Sequence, residues 1–417
     1  MTAETEECAL GSLVGMQKGY AFKSKWYSDS GREIVKVSNF TEDSVDASEL
    51  VRIPESIAEE YSRYKLKRGD IIVQTVGSWP NNPESVVGKV VRIPNEVDGA
   101  LLNQNAVKLV PRDKLDNGFL FCLLRSERFK NYIAGTAQGA ANQASITLDS
   151  IRNFSFSLPK LSIQRKIAAI LSAYDDLLEN NLRRIKILKR MAQTIYREWF
   201  VKFRFPGHQY ARFTDSSAGR IPEGWGVKAF SEMASYVNGY AFKPDDWGKV
   251  GKPIIKIKEL KTGTTAETPR NLGNGIPEKY HVNSGDVLFS WSADLNVYVW
   301  IEGRGLLNQH LFNVVPFDGF SRVFCFHALK EAMPLFRALS LGATMHHIKR
   351  SALDQVSSVV PTVELRKRFD ALIEPIHRLL ITLTKQVLNL RRTRDLLLPR
   401  LISGDVDVAH MVTDLGL

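Results

Sequence analysis

The sequence predicts an α+β chain in which one globular module is written twice, each copy followed by a long amphipathic helix, the two helices pairing as an antiparallel coiled coil. Three observations predict it. Short motifs recur in the same order in both halves, the apolar spacing changes twice from strand-like to heptad-like, and the excess positive charge is confined to the heptad segments. At 417 residues the chain is too long for one ordinary core and suits two domains with connecting structure.

The repeat comes first. Gly19-Tyr20-Ala21-Phe22-Lys23 recurs as Gly239-Tyr240-Ala241-Phe242-Lys243, and the register holds without a gap to Phe40 and Leu260, with 8 identities in 22 positions. Residues 64–73 answer residues 280–289 around Gly69-Asp70 and Gly285-Asp286. Leu101-Leu102-Asn103-Gln104 answers Leu306-Leu307-Asn308-Gln309, and Phe121-Cys122 answers Phe324-Cys325. A duplicated domain explains the shared order.

Within each copy the β-branched runs at 34–37 and 254–257 read as strands. The Gly-Asp pairs are turns into second strands at 71–73 and 287–289. Residues 119–132 and 323–339 carry apolar and aromatic side chains at helical spacing, so each reads as one packed helix. The repeated cysteine falls on that helix and reads as core rather than chemistry.

A long helix follows each copy. In the first, Ile167, Leu171, Tyr174, Leu178, Asn181, Ile185, Leu188, Ala192, Ile195 and Trp199 lie three and four apart. In the second the line is Phe369, Ile373, Ile376, Leu380, Leu383, Val387, Leu390, Arg394, Leu397 and Leu401. Sustained heptads argue for a coiled-coil seam, with Asn181 and Arg394 as polar exceptions of the kind that fix register. Two helices each packed on its own domain is the blander alternative. Pro375 is expected to kink the second helix or to end one there. The Pro-, Gly- and Ser-rich stretch from Phe205 reads as a linker. The expected division is therefore a module over 1–159, a helix over 160–205, a linker over 206–220, a module over 221–360, a helix over 361–405 and a tail over 406–417.

Residues 160–205 carry net +7 and residues 361–405 net +4, which together account for the chain's whole +11. Such stripes fit either solvated helix faces or helices lying beside DNA or an acidic partner. No run of apolar residues is long enough for a membrane span, and the acidic start lacks the pattern of a secretory signal. Three scattered cysteines build neither a disulfide framework nor a zinc site. A cytoplasmic location is expected.

These motifs resemble the specificity subunit of type I restriction-modification enzymes over nearly the whole chain. The family opens each target recognition domain with a Gly-aromatic-Ala-Phe element and carries a Gly-Asp turn before a strand, and both occur twice here. Residues 157–168, from Ser157-Leu158-Pro159 to Ile167-Ala168, resemble the entry to the first central helix; Trp199-Phe200-Val201-Lys202-Phe203 resembles its exit. Ile221-Pro222-Glu223-Gly224-Trp225 resembles the start of the second domain, and residues 394–405 resemble the closing motif. Two departures stand out. The first module has no counterpart of Ile221 to Trp225, and the second helix enters through Pro361-Thr362-Val363-Glu364-Leu365-Arg366, without the glutamine found at Gln164.

The resemblance implies a non-catalytic DNA-reading subunit of bacterial or archaeal origin. Its two domains would each read half of a bipartite site, with the helices as a ruler across an unread spacer. A helix from Ser162 to Trp199 would be roughly 55 Å long at ~1.5 Å per residue. The implied partners are double-stranded DNA, two adenine-methylating subunits docked on the helices, and two ATP-driven restriction subunits. No cofactor, metal or membrane is expected.

Positions that differ between copies inside matching framework are the candidates for base contact, because Asn and Gln suit adenine while Lys and Arg suit guanine. In the first module these are Lys23, Lys25, Ser38, Asn39, Thr75, Ser78, Trp79, Gln138, Asn142 and Gln143. In the second they are Lys243, Lys258, Lys261, Ser290, Trp291, Thr344, His346, His347 and Lys349. The shared Asn103-Gln104 and Asn308-Gln309 read instead as structural.

Enzymatic readings fail on their motifs. An adenine methylase would need an Asn/Asp-Pro-Pro-aromatic loop, which Asn81-Asn82-Pro83-Glu84 does not supply, and a Gly-x-Gly-x-x-Gly turn, which is absent. No Gly-x-x-x-x-Gly-Lys-Ser/Thr occurs. Pro244-Asp245 followed by Glu259-Leu260-Lys261 imitates a metal-dependent nuclease, but its counterparts Ser24-Lys25 and Asn39-Phe40-Thr41 hold no carboxylate. A related system with a fused methylase-nuclease partner and a duplicated protein-binding scaffold remain as alternatives.

Overall fold

The structure, a computed structural model, describes residues 6–41, 44–79, 86–140, 143–340 and 347–408. The chain divides into two compact units, residues 1–176 with 391–417, and residues 177–390.

In the first unit, Val14–Lys18, Ala106–Pro111, Ile71–Gln74 and Val90–Arg92 form a four-stranded antiparallel sheet in that order. Val51–Ile53, Arg32–Val35 and Leu101–Leu102 form a second sheet whose last pair is parallel. The second unit repeats both. Ala234–Asn238, Leu311–Pro316, Val287–Ser290 and Asn296–Val299 form the four-stranded sheet. Lys252–Ile255 pairs in parallel with Gly305–Leu307. In both modules the Gly-Asp turn enters a strand that is buried along its whole length, Ile71–Gln74 or Val287–Ser290. Apolar β-branched runs favour such a position because both of their faces are covered.

The repeated Gly-Tyr has a steric cause. A Cβ on Gly19 would lie 1.8 Å from the Asn103 carbonyl oxygen, and one on Gly239 would lie 2.1 Å from that of Asn308. The next residue donates its N–H to Leu102 O or Leu307 O. Two motifs 84 residues apart in the first module and 69 apart in the second are therefore repeated together because they touch.

The packed helices differ from expectation. Residues 119–132 belong to two helices, Asn117–Arg125 and Glu127–Thr136, because Ser126 adopts extended backbone and its hydroxyl accepts the Phe129 N–H. The second module has one helix, Arg322–Ala338. Measured from the N-caps, Asp116 and Ser321, the counterpart of Phe324 is Phe119 rather than Phe121. Cys122 and Cys325 are thus not equivalent positions. Both are core residues nonetheless, and burial pushes each thiol up to about 12.

The long helices are Leu161–Tyr196, continued by a π-helical turn at Arg197–Val201, and Val363–Ile402. Pro375 does not end the second helix. It stands on an exposed face beside exposed Ala371, where water can satisfy the carbonyl that loses its donor, while buried Ile373 one turn-face away anchors the helix.

Inside each unit the two helix segments run antiparallel. In the first, Ile167 and Leu171 share a core with Leu401. In the second, Leu178, Ile185, Leu383 and Val387 form one cluster flanked by Leu188, Leu380 and Leu390, and Asn181 donates to Gln386 Oε1 at 3.4 Å. Tyr174, Ile376 and Leu397 are half-buried. Towards Tyr196 the buried line shifts by one residue. Tyr196 and Phe200 are buried among Phe324 and Phe369, whereas Ile195 and Trp199 are only partly covered. There the helix packs against its globular module, so the spacing follows that core rather than a two-helix seam.

The stretch expected as a linker, residues 206–220, contributes to a hairpin. Phe213–Ser216 pairs with Gly219–Pro222 as a hairpin, with Gly219 in the left-handed region at φ 87° and the Ser216 hydroxyl accepting the Ala218 N–H. The Ser and Gly that suggest a linker are the residues of its turn.

The glutamine at the entry to the first long helix has a positional counterpart in the second. Gln164 accepts the Asp116 N–H at 2.8 Å and donates to Lys114 O at 3.0 Å and Pro159 O at 2.8 Å. Arg366 occupies the matching place, donates to Gly319 O, and lies 4.2 Å from the Phe320 ring centroid. The longer side chain reaches the carbonyl that matches Lys114 O, although a guanidinium cannot accept a backbone N–H as the amide oxygen does.

Candidate nucleic-acid interface

The divergent loops of the first module converge on one turn, residues 103–105. Asn103 N–H donates to Val35 O at 3.0 Å, Gln104 N–H to Tyr20 O at 2.9 Å, and Thr75 N–H to Asn105 O at 2.7 Å. Ile146 N–H closes the chain of contacts on Thr75 O at 2.9 Å. Asn105, at φ 68°, adopts the left-handed region that Asn tolerates better than most residues. Lys23 and Lys25, Ser38 and Asn39, and Ser78 and Trp79 follow closely on the segments so joined, and Gln138 and Gln143 closely precede Ile146.

Two of those segments pair directly. Gln138–Ala140 and Gln143–Ser145 form a hairpin, and the second strand pairs with Val76–Gly77, matching Ala144 to Gly77. Gln138 and Gln143 are exposed on this ribbon. Trp79 is half-buried against the module's core. Lys23, exposed, lies 5.5 Å over the Trp26 ring, and Lys25 and Ser38 are exposed.

The second module repeats the arrangement. Asn308 N–H donates to Ile255 O at 3.1 Å, and Ile348 N–H to Trp291 O at 3.0 Å, as Ile146 does to Thr75. The Trp291 indole donates to Gln309 O and to Asn238 Oδ1, each at 3.2 Å. Ser292 pairs with His347 across a single bridge, and its hydroxyl lies 3.2 Å from His310 Nδ1. His347 and Lys349 are exposed beside this bridge.

The geometry narrows the candidates. Thr75 and Ser290 are buried, Ser290 completely, and the Ser290 hydroxyl donates to Ser292 O. Neither side chain has access to a base edge, which corrects that expectation for both. Lys261 is held by Asp294 at 3.0 Å and Lys258 stands 3.7 Å from Glu267, so part of their charge is answered within the protein. Lys243 is exposed, and its N–H donates to Asp246 Oδ2. Asn142, Thr344 and His346 lie outside the described residues.

The nuclease imitation resolves into a cap. Glu259 is 3% exposed; its Oε2 accepts the Lys256 N–H at 3.0 Å and its Oε1 the Thr268 hydroxyl at 3.3 Å. At the matching position, Asn39 Oδ1 accepts the Lys36 N–H at 2.9 Å. Asn and Glu perform one structural task, so Asn39 has its carbonyl engaged as well. Among the described residues no group of three or more His, Cys, Asp and Glu is arranged to hold a metal ion, and no helix is long and apolar enough to cross a membrane.

What sequence reasoning misses lies where each globular module meets the long helices. In the first unit, Asp175 accepts from Arg394 at 2.9 Å and from Arg125 at 3.3 Å, all three largely buried. In the second, His377 and His327 join through their Nε2 atoms at 2.9 Å, and His327 Nδ1 lies 2.8 Å from Gln193 Oε1. Gln193 in turn donates to Glu331, which also accepts from Arg197 at 2.7 Å. Since the Gln193 amide nitrogen is committed to Glu331, its oxygen accepts, so His327 carries its proton on Nδ1 and His377 donates from Nε2. Burial, with His377 alongside, pushes His327 down to about 3, and burial pushes His377 to about 4.

Residues 3–190 match the family model described as type I restriction modification DNA specificity domain. The chain is 23% identical over 331 residues to the type I restriction enzyme MjaIX specificity subunit of Methanocaldococcus jannaschii, covering 74% of this chain and 73% of that one. It is 23% identical over 411 residues to the HindI specificity subunit of Haemophilus influenzae, covering 82% and 87%. A crystal structure of the type I restriction-modification system S subunit from M. genitalium superposes with a TM-score of 0.60 over 96% of each chain at 16% identity, which shows a shared fold.

Proposed function

The chain belongs to the family of type I restriction-modification specificity subunits, and from that premise we propose that each module reads one half of a bipartite, gapped DNA site. The subunit performs no catalysis of its own, in keeping with that family. One observation carries the reading: two modules share a framework down to individual backbone hydrogen bonds, yet their loops around the common Asn-Gln turn differ. A fold used twice with different loops suits two different half-sites. Exposed Gln138, Gln143, His347 and Lys349 are the foremost candidates for base edges, and Lys23, Lys25 and Lys243 for phosphates. The long helices, with their net positive charge, set the spacing between half-sites and dock two methyltransferase subunits, which two ATP-dependent restriction subunits join.

The test is genetic and modular. Methylated bases are mapped across the host genome with and without the gene; a gapped methyl-adenine motif that vanishes on deletion supports the reading, and an unchanged methylome sinks it. Exchanging residues 221–360 for those of another family member is expected to change one half-site only. A change in both would end the modular account.

A further inference from the structure

A second repeated feature sits on the rim of the same turn, at positions where the modules agree rather than differ. The register that sets Gly19 on Gly239 also sets Tyr27 on Trp247 and Lys36 on Lys256. Lys36 Nζ lies 4.3 Å over the Tyr27 ring, and Lys256 Nζ lies 4.0 Å over the Trp247 ring. The lysine is kept and the aromatic face is kept, although the ring itself changes. Both rings are exposed, Tyr27 by 36% and Trp247 by 48%.

Neither ammonium has a carboxylate partner among the described residues, whereas the nearby Lys258 and Lys261 stand beside Glu267 and Asp294. The backbone beneath each lysine is pinned twice. Its own N–H is capped by the side chain three residues on, Asn39 or Glu259. The preceding carbonyl, Val35 or Ile255, accepts from the Asn103 or Asn308 N–H of the central turn.

An exposed cation–π contact adds little to stability, and ordering a lysine costs side-chain entropy. Holding an unneutralised ammonium in one place, twice, therefore points outward to an anion. The partner must be common to both half-sites, because the pair is common to both modules. On a duplex the feature independent of sequence is the phosphate backbone.

We propose that Lys36 on Tyr27 and Lys256 on Trp247 are paired phosphate-positioning contacts, one per module, that register each module on the duplex irrespective of base sequence. This rests on the DNA reading above. The experiment uses the full chain co-expressed with its modification subunit. Fluorescence anisotropy is measured over a salt series, with one duplex carrying the methylated motif and one of random sequence. In a Lys36→Met, Lys256→Met variant the slope of log affinity against log salt is expected to shallow by about 1.8, roughly 0.9 per lost contact. The fold-loss should be equal on both duplexes, the methylated motif unchanged, and Lys36→Arg with Lys256→Arg should restore the slope. An unchanged slope, or a loss confined to the motif duplex, overturns the proposal. So does an unchanged slope with weakened retention of the modification subunit on gel filtration, which would make the pair a protein contact. Wild-type complex that binds neither duplex would instead overturn the DNA reading itself, and the pair with it.

Discussion

The first unit meets the long helices through a charged triad, Arg125, Asp175 and Arg394, and the second through a neutral pair, His327 and His377. The places correspond: His377 stands to Asp175 in the repeat as Phe369 stands to Ile167. In each unit the junction joins a globular helix to both long helices, and each is closed by buried polar groups. The triad needs its opposite charges together, since an ion stripped of water is tolerated only when paired. The histidines avoid that cost by staying uncharged, and they gain directionality from a chain of hydrogen bonds running to Glu331. Shared backbone geometry therefore does not require shared polar chemistry; it requires that every buried polar group be answered.

The comparison can be broken most severely at Asp175. Asp175→Ala removes the buried carboxylate that two largely buried guanidinium groups share, with Arg394 keeping its contact to the more exposed Asp395, and is expected to cost about 3–5 kcal/mol, read by chemical denaturation of the full chain. A loss under about 1 kcal/mol would mean the triad is solvated and the contrast false.

Acid probes the other side. His327 and His377 have lowered values in the folded state, near 3 and 4, against 6.5 for the free side chain. Between those values the unfolded chain binds protons that the folded chain refuses, so stability is fully present above about pH 6.5 and falls as pH falls. Two such groups cost about 2 kcal/mol between pH 6.5 and 5.5. Hydrogen exchange should show this as lost protection of Arg322–Ala338 ahead of Asn117–Arg125. A His327→Gln variant should flatten the dependence, and an equally steep slope in that variant would assign the effect elsewhere.

Two milder pairs of substitutions test where the modules agree. Gln164→Ala should cost about 1–3 kcal/mol by stranding buried backbone groups, and Arg366→Ala a similar amount in the second module, by thermal melting. Asn39→Ala and Glu259→Ala should each cost about 1 kcal/mol as lost caps. Purified protein that cut DNA on its own with Mg²⁺, and lost the cut on Glu259→Ala, would restore the nuclease role in place of the cap.

The duplication and the two long helices were legible because motif order and heptad spacing are local properties of the chain. The polar junctions were not. Asp175 lies next to the seam residue Tyr174, where spacing alone marks it as solvated, and only its neighbours Arg394 and Arg125, far off in sequence, reveal the burial. Burial also decided the candidate site. Thr75 and Ser290 differ between copies as a reading residue would, but both sit at a strand end that the core covers. Divergence between repeats records freedom to vary, and Asn39 with Glu259 shows that a cap has that freedom too.

The first unit is built from the two ends of the described chain: Leu401 and Val408 belong to the same core as Ile167, Leu171 and Phe119, while the second unit is one continuous stretch. On the ribosome this sets an order. The part made first is finished last, because Ile167 and Leu171 have no complete covering until residues 391–408 emerge. The second unit can close as soon as its own residues are out. In the interval the nascent chain presents a partly covered apolar stripe, the kind of surface that chaperones hold. A premature stop ahead of Leu401 would leave that covering incomplete for good.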